Sequence, residues 1–228
     1  FKKANEVAGQ AGLAALALEA GFYFGETLLL NQRVSEAADA LVRVAQIAQS
    51  LQNQVRERAA TALLAQAHGR LRNFEAALQM ANRTLQLSQE LKFERLIPMD
   101  IFNVAFFQLQ LNRPTEALSL LAKAKERAPT DDANFLRELN FHTGMANLRI
   151  GEKGAAAAAF KEAVKFATAT KDWSKVMAGS EHLADLALGA GQQEEAAKLL
   201  QEALKAADTG NLKEERKGIR RKLDELGK

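Results

Sequence analysis

One motif returns along this chain at almost constant spacing. Ala37, Ala77, Ala117, Ala156 and Ala196 follow one another at intervals of 40, 40, 39 and 40 residues. Four residues after each stands Leu41, Ala81, Leu121, Phe160 or Leu200, and three further on Val44, Thr84, Ala124, Ala163 or Ala203. Twelve residues before each marker lies a small residue: Gly25, Ala65, Ala105, Gly144 or Ala184. A register held through five copies restricts the fold to repeating units. Each unit is too small to bury its own apolar face, so neighbours must stack.

The spacing inside a unit is helical. Positions i, i+4 and i+7 lie on one face of a helix, and a small residue on the preceding helix lets an antiparallel partner approach closely. Gly, Asn and Pro punctuate the turns at 31–33, 70–73, 111–114, 150–154 and 189–193. With only three prolines in 228 residues, long helices run uninterrupted between them. First helices are predicted at 13–30, 53–70, 93–111, 132–150 and 173–190. Second helices are predicted at 34–50, 74–91, 115–128, 154–169 and 193–208. The expected fold class is all-α, a right-handed α-solenoid of antiparallel helix hairpins. Its organisation reads as five hairpins over 13–210, preceded at 1–12 by the end of a truncated repeat and followed at 211–228 by a capping helix. The first of these assignments rests on FKKANEVA at 1–8 aligning with FKEAVKFA at 160–167. The cap is expected because residues 211–226 are highly charged yet keep Ile219, Leu223 and Leu226 as an apolar stripe.

These columns resemble the tetratricopeptide repeat (TPR) family over essentially the whole chain. The small first-helix residue of that family maps to Gly25, Ala65, Ala105, Gly144 and Ala184. Its paired second-helix positions map to Ala37/Val44, Ala77/Thr84, Ala117/Ala124, Ala156/Ala163 and Ala196/Ala203, and its closing proline appears once, as Pro129. The period near 40 rather than 34 is similar to the longer-helix variant of the family. The resemblance implies a protein-interaction scaffold whose first helices line a concave groove, with a ligand-sensing segment of a larger signalling protein as the alternative.

Charge and residue usage narrow the chemistry. Seven of the 31 Lys and Arg and four of the 28 Asp and Glu fall within 211–228, leaving residues 1–210 balanced at 24 of each sign. The basic balance therefore belongs to a tail, and a nucleic-acid partner is not expected. Residues 11–30 are apolar but contain Glu19 and Glu26, which argues against a membrane span. No signal peptide is evident, so the expected location is cytoplasmic. The absence of cysteine excludes disulfides, thiolate metal sites and a cysteine nucleophile.

His142 and His182 share a column 40 residues apart, about 9–10 Å between adjacent helices, too far for one zinc ion. Asp131 and Asp132 follow Thr130 at a helix start and read as capping residues. The expectation is a non-enzyme without metal or cofactor, whose partner is another protein. Positions three before and one after the small residue point to the groove: Phe22, Gln66, Phe102, Phe106, Phe141, Met145, Glu181 and Asp185. The groove centre would be aromatic and its end acidic, fitting a peptide or helix with apolar side chains and a basic residue. The other reading of these phenylalanines places them in the interhelix core. The chaperone-binding subset of the family uses basic and Asn side chains on these faces. Phe102, Phe141, Glu181 and Asp185 stand there instead, so its carboxylate clamp is not expected.

Overall fold

The computed structural model describes residues 2–4 and 13–227. Residues 2–4 are helical, and the rest of the expected truncated repeat lies outside the described residues. From there the chain is α1 (Ala14–Leu30), α2 (Val34–Ser50), α3 (Gln54–Arg70), α4 (Phe74–Glu90), α5 (Ile97–Gln110), α6 (Pro114–Glu126), α7 (Ala133–Arg149), α8 (Lys153–Ala169), α9 (Trp173–Gly189), α10 (Gln193–Thr209) and α11 (Lys213–Leu226). No strand occurs among the described residues. No helix is long and apolar enough to cross a membrane among them. The chain divides into two compact units, Phe1–Arg113 and Pro114–Lys228.

The boundaries differ from expectation mainly at α5, which starts at Ile97 rather than 93. Pro98 explains this. Its ring clashes with the carbonyl four residues earlier, so no helix can run more than a turn upstream of it. Most other helices end in the same way. At α1, Gln32 N–H donates to Leu29 O (3.2 Å) and Arg33 N–H to Leu28 O (2.9 Å), the paired bonds of a Schellman motif. Glycine takes the left-handed position at Gly151 and Gly191, but Gln32, Gln52, Arg72, Lys92, Asn112, Lys171 and Asn211 adopt it as well. Three starts are capped by side chains, although Asn73 at the start of α4 makes no such bond. Asn53, Asp132 and Asp172 accept from the N–H of Arg56, Phe135 and Lys175.

In the first unit each helix packs on its neighbours in the chain. Leu41 and Val44 of α2 and Leu64 of α3 are buried with Leu18, Leu28 and Leu29 of α1. Gly25 makes this possible, since a Cβ there would lie 2.7 Å from Leu41 Cγ. A polar seam crosses the same unit. Asp100 of α5, 3% exposed, accepts two bonds from Arg58 of α3 (2.8 and 2.9 Å) and one from Ser88 of α4 (2.5 Å). Arg58 also donates to Ser88 (2.8 Å), so the buried charge is paired on every side.

The second unit repeats the design with different side chains. Gly144 of α7 lies against the ring of Phe160 in α8, which would be 2.7 Å from an added Cβ. Phe160 is fully buried, and burial of a side chain this size contributes about 2–3 kcal/mol. At the far end Ile219 of α11, 1% exposed, closes a cluster with Leu200, Ala203 and Ala207 of α10.

Candidate functional site

The repeat register creates a cleft where one first helix lies beside the next. In the first unit α3 contributes Ala65, Gln66, Gly69 and Arg70, the small-column residue and those one, four and five beyond it. Facing them, α5 contributes Asn103, Phe106 and Phe107, two before and one and two after its own small residue Ala105. The cleft holds about 430 Å³. Gly69 sets its floor: a Cβ there would be 2.9 Å from Phe107 Cε1, so only glycine lets this buried ring lie against α3. Phe106 stands edge-on to Phe107, with centroids 5.2 Å apart, and forms a half-buried wall. Gln66 and Arg70 are exposed at the rim, and Nη1 of Arg70 donates to Leu29 O of α1 (3.0 Å).

An equivalent cleft recurs in the second unit between α7 and α9. Leu148 comes from the preceding first helix, and His182, Asp185, Leu186 and Gly189 come from the following one, with Lys153 of α8 at its edge. It is smaller, about 180 Å³, and more polar in its residues. His182 occupies the column of Asn103. Its ring stacks on Phe160 at 4.8 Å and 17°.

The residues expected in the groove therefore have different fates. Gln66 and Phe106 line the first-unit cleft, and Asp185 lines the second-unit one. Phe22 and Phe102 are each 8% exposed and belong to the core. Phe22 carries the Arg56 guanidinium 4.4 Å above its ring. Phe141 and Met145 are half-buried and pack against the Phe160 cluster, with Lys175 Nζ 4.5 Å from the Phe141 centroid. The position three before the small residue is thus buried at Phe22 and Phe102 and half-buried at Phe141 and Glu181. Glu181 and Asp185 already hold a cation: Lys222 Nζ of α11 lies 2.8 Å from Glu181 and 3.0 Å from Asp185.

Asn103, Phe107, Gly69, Arg70 and Lys222 escaped the sequence reading. The signal that would have found Asn103 and Lys222 is the column that already holds His142 and His182, continued at intervals of 39 and 40 residues. In α5, α9 and α11 its residues Asn103, His182 and Lys222 meet α3, α7 and α9.

The ionisable groups here are tuned by burial. Burial pushes His142 of α7 below its usual range and outweighs the Glu138 carbonyl (2.9 Å from Nδ1) and carboxylate, which favour the charged ring. His182 is lowered for the same reason, with Lys222 adding to the effect and Asp185 and Glu181 opposing it. Lys222 loses some affinity for its proton through burial, but hydrogen bonds to Glu181 and Asp185 leave its pKa raised. Among the described residues no group of three or more His, Asp or Glu is placed to hold a metal ion.

No protein-family model and no curated protein matches the sequence. Solved structures do match. BtubC (BKLC) from P. vanneervenii superposes with a TM-score of 0.75 at 15% identity, over 92% of this chain and 87% of that one. The apo form of the quorum sensor NprR from B. thuringiensis gives 0.79 at 15% identity, over 94% of this chain and 62% of NprR. YrrB, a TPR protein with an unusual peptide-binding site, gives 0.58 at 15% identity, over 82% of this chain and 84% of YrrB. These likenesses define the fold: the chain is an all-α, TPR-type solenoid built from packed helix pairs.

Proposed function

We propose that the chain binds a segment of another protein, with an apolar side chain of that segment seated in the cleft between α3 and α5. The observation that carries this reading is Phe106, a half-buried aromatic wall backed by buried Phe107 over an open cleft. Aromatic side chains in such settings dominate interface energies. The amides of Gln66 and Asn103 at its edge can each donate and accept, which suits the backbone of an extended or helical peptide. The peptide-binding site of YrrB supports a peptide ligand for this fold.

A second reading, a sensor segment within a larger signalling chain, is favoured by the likeness to NprR, of which this chain spans only 62%. The test is panning of a random displayed-peptide library on the wild-type chain, with Phe106→Ala as the counter-screen after both are shown to fold. Peptides retained by the wild type and lost on Phe106→Ala support the reading. Peptides that bind both equally remove the cleft from it.

A further inference from the structure

The chemistry of the cleft between α3 and α5 also specifies charge. Of the described residues lining it, only Arg70 is charged. Its guanidinium is held by the bond from Nη1 to Leu29 O, the carbonyl of the penultimate residue of α1. Arg70 is exposed, and anchoring through one nitrogen lowers the entropy lost when its other N–H groups meet a ligand. The carbonyls ending α1 and α3 oppose an anion, but a helix end carries only about half an elementary charge against the full charge of Arg70.

The sense of this charge is opposite to the one expected from Glu181 and Asp185. Those two carboxylates share the single cation of Lys222 within the chain, whereas among the described residues no carboxylate pairs with Arg70 across the cleft.

We infer that the cleft takes an apolar side chain lying next to a carboxylate, so that the bound segment places a hydrophobic residue against Phe106 and an acidic group at Arg70. This rests on the cleft being the ligand site. Planar guanidinium and carboxylate groups pair through parallel N–H···O bonds, which gives direction as well as attraction.

Three fragments that share a phenyl group and differ in charge test it: 3-phenylpropionate, 3-phenylpropanamide and 3-phenylpropylamine. Each is titrated into the full chain while the backbone amide signals of Ala65, Gln66, Gly69 and Asn103 are followed by NMR. Phenylpropionate is expected to bind about threefold or more tightly than the other two, the ratio for one exposed charge contact. That preference should shrink in about 1 M salt, where the screening length is about 3 Å. Arg70→Gln removes the charge and should abolish the preference of phenylpropionate over phenylpropanamide. Arg70→Lys should retain most of the preference. Equal binding of all three fragments, or tighter binding of the amine, overturns the charge assignment and leaves the cleft as an apolar site. Absence of shifts at these amides with every fragment overturns the cleft itself and the proposed function with it.

Discussion

Lys222 Nζ lies 2.8 Å from Glu181 Oε1 and 3.0 Å from Asp185 Oδ1, so α11 supplies one cation within the chain to the two carboxylates expected to meet a basic residue of a partner. Lys222 sits forty residues after His182, in the same column, and α11 therefore lies on α9 as one first helix lies on another. We propose that α11 caps the second unit, and that Ile219 rather than Lys222 holds it there. All three charged groups are about a third or more exposed, which limits the ion pairs to less than about 1 kcal/mol. Lys222→Ala should thus lower stability slightly, whereas Ile219→Ala should cost about 2–4 kcal/mol. Because the folded pKa of Lys222 is raised above the ordinary 10.5, its contribution is complete at neutral pH. It disappears only as the pH climbs through the raised value. Urea titrations of both variants at neutral and alkaline pH measure this, and equal losses at neutral pH would remove Ile219 as the anchor.

Phe102 and Phe106 should separate stability from binding. Phe102 is 8% exposed, and Phe102→Ala should destabilise by about 3–5 kcal/mol. Phe106 is half-buried at the cleft, so Phe106→Ala should be milder for folding while weakening a cleft ligand by about 2 kcal/mol or more. Thermal melts together with titration of the panned peptide decide it. A Phe102→Ala variant that melts like the wild type would contradict its place in the core.

Two glycines should respond with opposite sign to the same substitution. Gly144→Ala puts a Cβ 2.7 Å from the Phe160 ring, which is fully buried and stacked on His182 and so has little room to move. The overpacking should outweigh the gain in helix propensity and destabilise by about 1–3 kcal/mol. Gly218→Ala in α11 meets nothing within 4 Å and should stabilise by about 0.5–1 kcal/mol. Denaturation midpoints of the two variants give both signs directly.

The buried histidines predict acid sensitivity. Burial lowers the pKa of His142 in the folded state, against Glu138 and with Lys175 and Arg149 adding to the decrease. The unfolded chain then binds the proton more readily, so stability is highest above the ordinary value of 6.5 and falls as pH drops below it. His182 acts in the same direction. A His142→Gln, His182→Gln double variant should show a flatter stability profile between about pH 6.5 and 4.5 than the wild type. Parallel profiles would assign the acid sensitivity to other groups.

The sequence by itself determined the repeat. Helix–helix approach requires a small residue, and Gly25 and Gly144 announce it at a fixed distance from Leu41 and Phe160, the side chains that fill the space. Helix order, hairpin register and the apolar stripe of α11 follow from that local pattern, because each depends on residues close in the chain. The tertiary structure alone decided what each column faces. Helical spacing places Phe102 and Phe106 on one side of α5, yet the rotation of that helix against α3 and α4 buries the first and leaves the second at a cleft. Likewise no local pattern pairs Lys222 with Asp185 across thirty-seven residues, or Arg58 with Asp100 across forty-two. Ion pairs are satisfied by proximity in space, and stacking of one helix on another is what creates that proximity.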